Sequence, residues 1–289
     1  MKFTNLLLFL LLALLWGTGW PATKMALSYV PSPVFMLHRF TFSTIAMFPV
    51  FLVLRKRVPN DTKTLKNLLL LCVINTFGVM VTNTGLEGES SGIGSVLTYT
   101  QPIFVFCLSI LFLGEKINMF KLIGTIIGFI GVILLFLGKI HTIALISSLL
   151  LIFGAFIWAV TMVYYKRFLS HVDSFVTNFF QWAFGVVPLG VFNLYSGRLF
   201  FPQELMYFWM VLYTSIGSAI IGWTIWLYLL QNEDVTIVSS SSFIVPLVAL
   251  FSGWLFLGEK LAFTSILGSI LTLSGVFLVN KKYIKHHNT

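Results

Sequence analysis

Charged residues are scarce in this chain, and acidic side chains are the scarcest. Only 9% of its 289 residues are charged, whereas 58% are hydrophobic, and the mean hydropathy is +0.96. Because soluble domains carry about a quarter charged residues, this balance excludes a soluble globular protein. Continuous apolar runs such as LLLFLLLALLW at 6–16 predict membrane-spanning helices, since a membrane β-barrel would alternate apolar and polar residues.

Cysteines and catalytic motifs are also nearly absent. Cys72 and Cys107 lie inside apolar runs and form no CxxC pair, and no HExxH motif occurs. GESSG at 88–92 fits the GxSxG pattern, but it joins two apolar segments, whereas a nucleophile elbow joins a strand to a helix. The sequence therefore predicts no enzyme activity, no metal site and no cofactor.

Ten apolar segments separated by polar breaks make up nearly the whole chain. Their length of about 20 residues predicts an all-α integral membrane fold of ten transmembrane helices. The predicted spans are residues 5–23, 34–54, 66–86, 92–113, 119–138, 143–164, 175–195, 207–230, 236–257 and 263–280.

The net charge of +9 follows this predicted topology. With the N-terminus in the cytoplasm, thirteen Lys and Arg residues fall on the cytoplasmic side and five on the other. This excess fits the positive-inside rule, so we predict a multi-pass protein of the plasma membrane with both termini cytoplasmic. The positive charge thus indicates topology, with the lipid bilayer as a partner and no nucleic acid.

The hexapeptide LFLGEK occurs twice, at Leu111–Lys116 and at Leu255–Lys260. The separation of 144 residues also pairs Pro102 with Pro246. Each copy ends one predicted span and leads into the next, with a glycine where a helix C-terminus favours it. We interpret the hexapeptide as a structural corner that is used twice.

The repeat extends to the start of the chain, where a separation of 142 residues pairs Trp16 with Trp158. We therefore predict two five-helix repeats, residues 1–140 and 141–289. Since five is odd, the second repeat would cross the membrane in the opposite direction. Inverted repeats of this kind place a substrate site near the membrane midplane, between the two halves.

These segments carry a family resemblance. LLWGTGWPATK at 14–24, HRF at 38–40 and SSGIGSVLTYTQPIFV at 90–105, which runs towards LFLGEK, resemble the EamA-type branch of the drug/metabolite transporter superfamily. SSSSFIVPLVALFSGWLFLGEK at 239–260 resembles the second repeat of that family. The resemblance implies a ten-helix inverted-repeat carrier with a central cavity, often an exporter of amino acids or related metabolites.

Tryptophans are the first candidates for a substrate pathway. Trp16 and Trp20 lie one turn apart on one helix face. Trp158 occupies the repeat position of Trp16, and Trp223 lies deep in the eighth span, away from the interfaces where Trp is commonest. These four side chains would suit a flat or amphipathic organic substrate, and also a cation, which the face of an aromatic ring attracts. Packing in the core or against lipid is the alternative for each.

Two proline-containing spans supply polar candidates. Pro102 and Pro246 each remove a backbone donor and free the carbonyl four residues earlier, either to line a cavity or to be satisfied by a neighbouring helix. Asn83, in the third span, either lines the cavity or bonds between helices. The predicted pathway residues in the proline-containing spans are Thr98, Tyr99, Gln101, Pro102, Ser239, Ser242 and Pro246.

Ionisable side chains are absent from the centre of every predicted span. Because such residues usually mark ion or proton sites, we predict neither carboxylate-based proton antiport nor a cavity for highly charged phosphates. His38 and Arg39 lie near the start of the second span, where they could reach the mouth of the cavity, although we expect them to snorkel towards the membrane surface.

The sequence therefore predicts a secondary transporter that moves a small neutral or zwitterionic metabolite by alternating access, with amino-acid export indicated by the resemblance. The alternatives are an exchanger of phosphorylated metabolites or nucleotide sugars and a non-transporting membrane receptor. We predict a monomer, with a dimer as the alternative. GTIIG at 124–128 is a GxxxG match that would pack either within the chain or between two chains.

Overall fold

The computed structural model describes residues 3–55, 58–113, 119–136, 142–232, 241–260 and 262–280, and the regular structure in these ranges is helical. The first half contains α1 (Phe3–Leu27), α2 (Ser32–Val53), α3 (Thr62–Glu87), α4 (Ser91–Thr98), α5 (Gln101–Leu113) and α6 (Met119–Phe136). The second half contains α7 (Thr142–Phe168), α8 (Ser174–Tyr195), α9 (Leu205–Tyr213), a π-helical segment (Thr214–Gly222), α10 (Trp223–Asn232), α11 (Ser241–Leu257) and α12 (Phe263–Asn280).

Seven helical segments of the described ranges are long and apolar enough to cross a membrane, and three further apolar helices, within α6, α11 and α12, are shorter. All ten lie where the apolar runs predicted spans, so the all-α membrane fold is confirmed, while ten complete crossings stay a prediction. Large apolar side chains such as Ile133 and Val187 are exposed, whereas Asn178 and Asn193 are fully buried. This distribution suits a multi-pass protein whose outer surface faces lipid.

Two of the long segments depart from a regular α-helix. The predicted fourth span is interrupted at Tyr99 and Thr100, so that α4 and α5 are separate helices, and Pro102 is the second residue of α5. The predicted eighth span contains the π-helical segment, whose wider turns are frequent at functional sites. Both irregularities lie at the centre of the protein.

Short acidic caps fix where two helices begin. Asp61 accepts a hydrogen bond from the backbone N–H of Thr64 at 2.8 Å, and this bond holds the pKa of the Asp61 carboxyl below its ordinary value. Asp173 accepts from the N–H groups of Phe175 and Val176 at the start of α8. Both polar loops therefore end sharply where the apolar runs begin.

The two halves of the chain pack together along four helix pairs: α1 with α11, α2 with α8, α3 with α7, and α6 with α12. Each pair joins a helix of the first half to a helix of the second. The main buried cluster lies between these pairs and includes Trp16, Trp182 and Trp223. The centre of the protein is therefore the place where the halves meet.

The α6–α12 pair is a close contact between glycines. A Cβ atom added at Gly275 would lie 2.5 Å from the carbonyl oxygen of Gly124 and 2.5 Å from the Cα atom of Gly128. The GxxxG match at 124–128 thus packs against α12 of the same chain, as small residues do when two membrane helices approach closely.

Replacing Gly275 with alanine should therefore lower the stability by about 1–3 kcal/mol, because the methyl group would force the two backbones apart. Gly190→Ala is the matched control, since its Cβ would meet only Leu37, at 3.9 Å. We expect the control to be neutral or to stabilise by about 0.5–1 kcal/mol through helix propensity. Melting temperatures in detergent measure the difference, and equal values for the two variants would contradict the close contact.

Candidate functional site

Tryptophans from four helices meet at the centre of the protein. Trp223 of α10 lies 5.6 Å from Trp16 of α1 and 5.4 Å from Trp158 of α7, measured between ring centroids. Its centroid is also 6.2 Å from that of Trp182 of α8. The rings are tilted or edge-on, as aromatic pairs prefer. Trp223 is 7% exposed and contacts the other three.

The π-helical segment holds this cluster through its backbone carbonyl groups. Trp16 Nε1 donates to the Ser218 carbonyl at 3.1 Å, and Trp182 Nε1 donates to the Ala219 carbonyl at 3.2 Å. The side-chain amide of Asn178 also donates to Ala219, at 3.0 Å. Because the wide turns direct these carbonyls towards side chains, two of the four indole N–H groups are satisfied.

A cavity of about 70 Å³ lies beside the cluster, and we name it the Arg39 chamber. It has room for several waters, since one water needs about 10–15 Å³ of such space. The lining residues are Trp16, Gly19, Trp20, Thr23, Arg39, Val79, Thr82, Asn83, Leu86, Tyr99, Trp158, Trp182, Ser218 and Trp223. Both halves of the chain contribute, and mostly apolar walls with a few polar groups are typical of small-molecule sites.

Arg39 is the charged side chain in this lining. Its guanidinium carbon lies 5.5 Å from the ring centroid of Trp182, in a cation–π contact. The prediction that Arg39 and His38 snorkel is therefore wrong, because both find partners inside the protein. Arg39 extends to the aromatic face on α8, and His38 forms a 2.6 Å hydrogen bond with the Tyr207 hydroxyl.

Hydrogen-bond donors without partners line the same chamber. Arg39 Nε, Asn83 Nδ2 and the indole Nε1 atoms of Trp158 and Trp223 are buried and bond to none of the described residues. None of the described residues that line the chamber is acidic. The Arg39 chamber is thus a positively charged, donor-rich, aromatic-walled cavity between the two halves of the chain.

A family model described as "EamA-like transporter family" matches this chain twice, over residues 4–137 and over residues 145–281. The chain belongs to the EamA-like transporter family. Each of the two matches covers one of the halves that enclose the Arg39 chamber.

Individual relatives agree with this assignment. "Uncharacterized transporter YoaV" of Bacillus subtilis (strain 168) is 29% identical over 271 residues, which is 92% of each chain. "Probable amino-acid metabolite efflux pump" of Escherichia coli (strain K12) is 25% identical over 280 residues, which is 93% of this chain and 92% of that protein. A solved crystal structure, 15% identical, has a TM-score of 0.72 over 100% of this chain and 99% of that one, which shows that the fold is shared.

This EamA-like transporter contains a second cavity, of about 20 Å³, which we name the Gln181 chamber. Its lining residues are Leu71, Asn75, Gln101, Trp158, Thr161, Met162, Tyr165, Gln181, Trp223, Trp226, Leu227 and Leu230. Trp158 and Trp223 line both chambers and form a shared wall. Gln101 is fixed beside this wall, because its amide donates to the Trp158 carbonyl at 3.1 Å.

The two chambers of the EamA-like transporter use equivalent positions of the sequence repeat. Nine lining positions of the Arg39 chamber correspond, 142 or 144 residues later, to nine of the twelve that line the Gln181 chamber. The nine pairs are Trp16 and Trp158, Gly19 and Thr161, Trp20 and Met162, Thr23 and Tyr165, Arg39 and Gln181, Val79 and Trp223, Thr82 and Trp226, Asn83 and Leu227, and Leu86 and Leu230.

Two lysines repeat the same contact at the same separations. Lys24 donates to the Leu86 carbonyl, at the end of α3, at 2.9 Å. Lys166 donates to the Leu230 carbonyl, near the end of α10, at 2.7 Å. A cation beside the last carbonyls of a helix complements the negative end of the helix dipole. Each lysine thereby ties one helix end to the wall of one chamber.

A carboxylate joins the two halves close to the Arg39 chamber. Glu259, directly after α11, accepts from the backbone N–H of Ser91 at 2.6 Å and from that of Gly92 at 3.1 Å. We name this contact the Glu259 latch. Gly258, which precedes it, has a φ of +63°, as expected for a glycine that ends a helix. The second LFLGEK copy therefore forms the predicted corner, while residues 114–116 of the first lie outside the described ranges.

The structure places most of the predicted pathway residues at the chambers. Trp16, Trp20, Asn83 and Tyr99 line the Arg39 chamber, Gln101 lines the Gln181 chamber, and Trp158 and Trp223 line both. Thr98, Pro102 and Pro246 are buried and line neither. Ser239 lies outside the described residues, as does the side chain of Ser242.

Arg39, Gln181 and Trp182 line the chambers and are not among the predicted pathway residues. The repeat contains a signal for Arg39 and Gln181, because the separation of 142 residues that pairs Trp16 with Trp158 also pairs these two residues. The π-helical segment has no comparable signal in the sequence.

Proposed function

We propose that this protein is a secondary transporter of the plasma membrane that exports a small zwitterionic metabolite, with amino acids as the main candidates, by alternating access. Its two halves, residues 1–140 and 141–289, would be inverted five-helix repeats with both chain termini in the cytoplasm. The observation that carries this proposal is the pair of chambers built at repeat-equivalent positions around the Trp158–Trp223 wall.

Alternating access follows from the symmetry of such a site. If the halves are inverted repeats, exchanging their conformations would enlarge the Gln181 chamber and shrink the Arg39 chamber. The shared tryptophan wall would then face opposite sides of the membrane in the two states. A ligand that binds both states equally does not shift the equilibrium between them. It can still cross the membrane whenever both states are populated.

The residues of the Arg39 chamber favour a small metabolite with one anionic group, such as an amino acid, over the alternatives. An exchanger of phosphorylated metabolites would need several cations for one highly charged group, whereas Arg39 is the single cationic side chain among the described lining residues. An enzyme would need positioned acid, base or nucleophile groups. The described lining contains no Asp, Glu, His or Cys side chain. The name of the Escherichia coli relative supports an amino-acid cargo.

Counterflow in proteoliposomes tests the proposal. Liposomes containing the purified protein are loaded with one unlabelled amino acid at a time, and the uptake of the same labelled compound is followed. We expect uptake of at least one amino acid above protein-free liposomes. A compound that raises the melting temperature but shows no counterflow would instead indicate the membrane-receptor alternative.

A further inference from the structure

The unpartnered groups of the Arg39 chamber share one chemical character. Arg39 Nε, Asn83 Nδ2, Trp158 Nε1 and Trp223 Nε1 are all hydrogen-bond donors, and all four are buried without a partner among the described residues. Arginine and indole nitrogens can only donate. A ligand that satisfies these groups must therefore present acceptor oxygen atoms.

The charge of Arg39 selects among the possible acceptors. Arg39 is half-buried, and its Nε atom is buried without a partner among the described residues. A charge that is withdrawn from water is normally paired, because an unpaired one is costly in a medium of low polarity. The neighbouring carboxylates bond elsewhere: Glu87 accepts from the Ser32 N–H at 2.5 Å, and Glu89 accepts from the Ser148 hydroxyl at 2.7 Å. The guanidinium has a cation–π contact with the Trp182 ring, and its Nε atom has no hydrogen-bond partner among the described residues, so the complementary ligand group is an anion.

We propose that Arg39 binds the carboxylate of the cargo, and that the cargo is a small organic carboxylate whose apolar part lies against the tryptophan rings. This proposal rests on the proposed transport function and names its substrate class. The planar guanidinium and a neighbouring indole N–H can together satisfy both carboxylate oxygens. An α-amino group would meet only aromatic faces and neutral polar atoms, so the carboxylate is required and the amine is not.

The Gln181 chamber lacks the positive charge at the position equivalent to Arg39. Its repeat-equivalent residue is a neutral amide, and Gln181 is 1% exposed. A carboxylate that is bound by Arg39 therefore finds no cation among the described residues of the Gln181 chamber. The anion specificity of the site thus depends on Arg39 alone.

The test compares matched compounds that differ in one group. Phenylalanine, leucine and alanine are compared with their carboxamides, which lack the carboxylate, and with the corresponding deaminated acids, which lack the amine. Affinity is measured by the ligand dependence of the melting temperature of the purified protein. We expect at least one acid to bind about tenfold or more tightly than its amide, with the deaminated acid close to the amino acid.

Arg39→Gln should remove this preference, so that acid and amide bind within about twofold of each other. Arg39→Lys keeps the charge but loses the planar fork, and should retain a weakened preference. Arg198→Gln is the matched control, since Arg198 is exposed outside the helices and should leave all affinities unchanged. If Arg39→Gln does not fold, the proposal is tested by the acid and amide affinities of the wild-type protein and of Arg39→Lys.

The proposal is overturned if amides bind as well as acids, if Arg39→Gln keeps the preference, or if no carboxylate raises the melting temperature. Failure of the transport proposal looks different. Acid-selective binding without counterflow would contradict transport while supporting the role of Arg39. Counterflow without acid selectivity would support transport while contradicting the role of Arg39.

Discussion

Trp223→Ala is expected to remove most transport activity and to destabilise the protein strongly. Trp223 is 7% exposed and packs against three other indole rings. Truncating a buried tryptophan of this kind costs about 3–5 kcal/mol. The same ring also belongs to both chambers, so its loss would join them and remove the wall that separates the two sides of the transport pathway.

The measurement pairs melting temperature with counterflow for Trp223→Ala, Trp223→Phe and Trp254→Ala. Phenylalanine keeps an aromatic surface and should preserve folding with reduced transport. Trp254 is the matched control, since it is 59% exposed on α11 and contacts Phe251 at 5.8 Å between ring centroids. We expect the control to transport normally. Wild-type counterflow in a folded Trp223→Ala protein would show that the shared wall is not part of the pathway.

The helices of this fold were predictable because the bilayer imposes them. A span must be about 20 apolar residues long and must satisfy its own backbone, so each apolar run could only become a helix. The place where the halves meet was also predictable from the repeat. Trp16 was a candidate because it shares a helix face with Trp20, Trp158 because it occupies the repeat position of Trp16, and Trp223 because it lies far from the interfaces where tryptophan is commonest.

Arg39 could not be found from local sequence, because its position depends on packing between distant helices. The same side chain near a span end would snorkel if α8 presented no aromatic ring, and Trp182 lies 143 residues away in the chain. The π-helical segment is a backbone property of a glycine- and serine-rich apolar run, and a regular α-helix would have satisfied the same pattern. Both features set the polarity of the Arg39 chamber.

The Glu259 latch is a third feature that only the folded chain reveals. The carboxylate that bonds to the first N–H groups of α4 comes from Glu259, in the other half of the chain. Glu89 accepts from the Ser90 N–H at 3.1 Å and from the Ser148 hydroxyl at 2.7 Å. The latch therefore joins α4 of the first half to the end of α11 in the second, and it must break if the halves separate here.

Glu259→Gln should open this end of the Arg39 chamber, because the amide is neutral and has one acceptor oxygen in place of two. A loss of about 1–3 kcal/mol from two charge-assisted hydrogen bonds would shift the closed–open equilibrium about 5- to 150-fold. The reporter is Thr23→Cys, a buried lining position, in a protein with Cys72→Ala and Cys107→Ser.

The rate at which a membrane-impermeant maleimide modifies this reporter measures opening. We expect modification to be about tenfold faster or more in Glu259→Gln, since labelling follows the population of the open state when opening is rapid. Glu204→Gln is the matched control, because Glu204 is exposed before α9 and makes no side-chain cap. An unchanged rate, with full labelling after unfolding in detergent, would mean that other contacts hold α4 and α11 together. An accelerated rate would identify Glu259 as the residue whose release couples the two halves during transport.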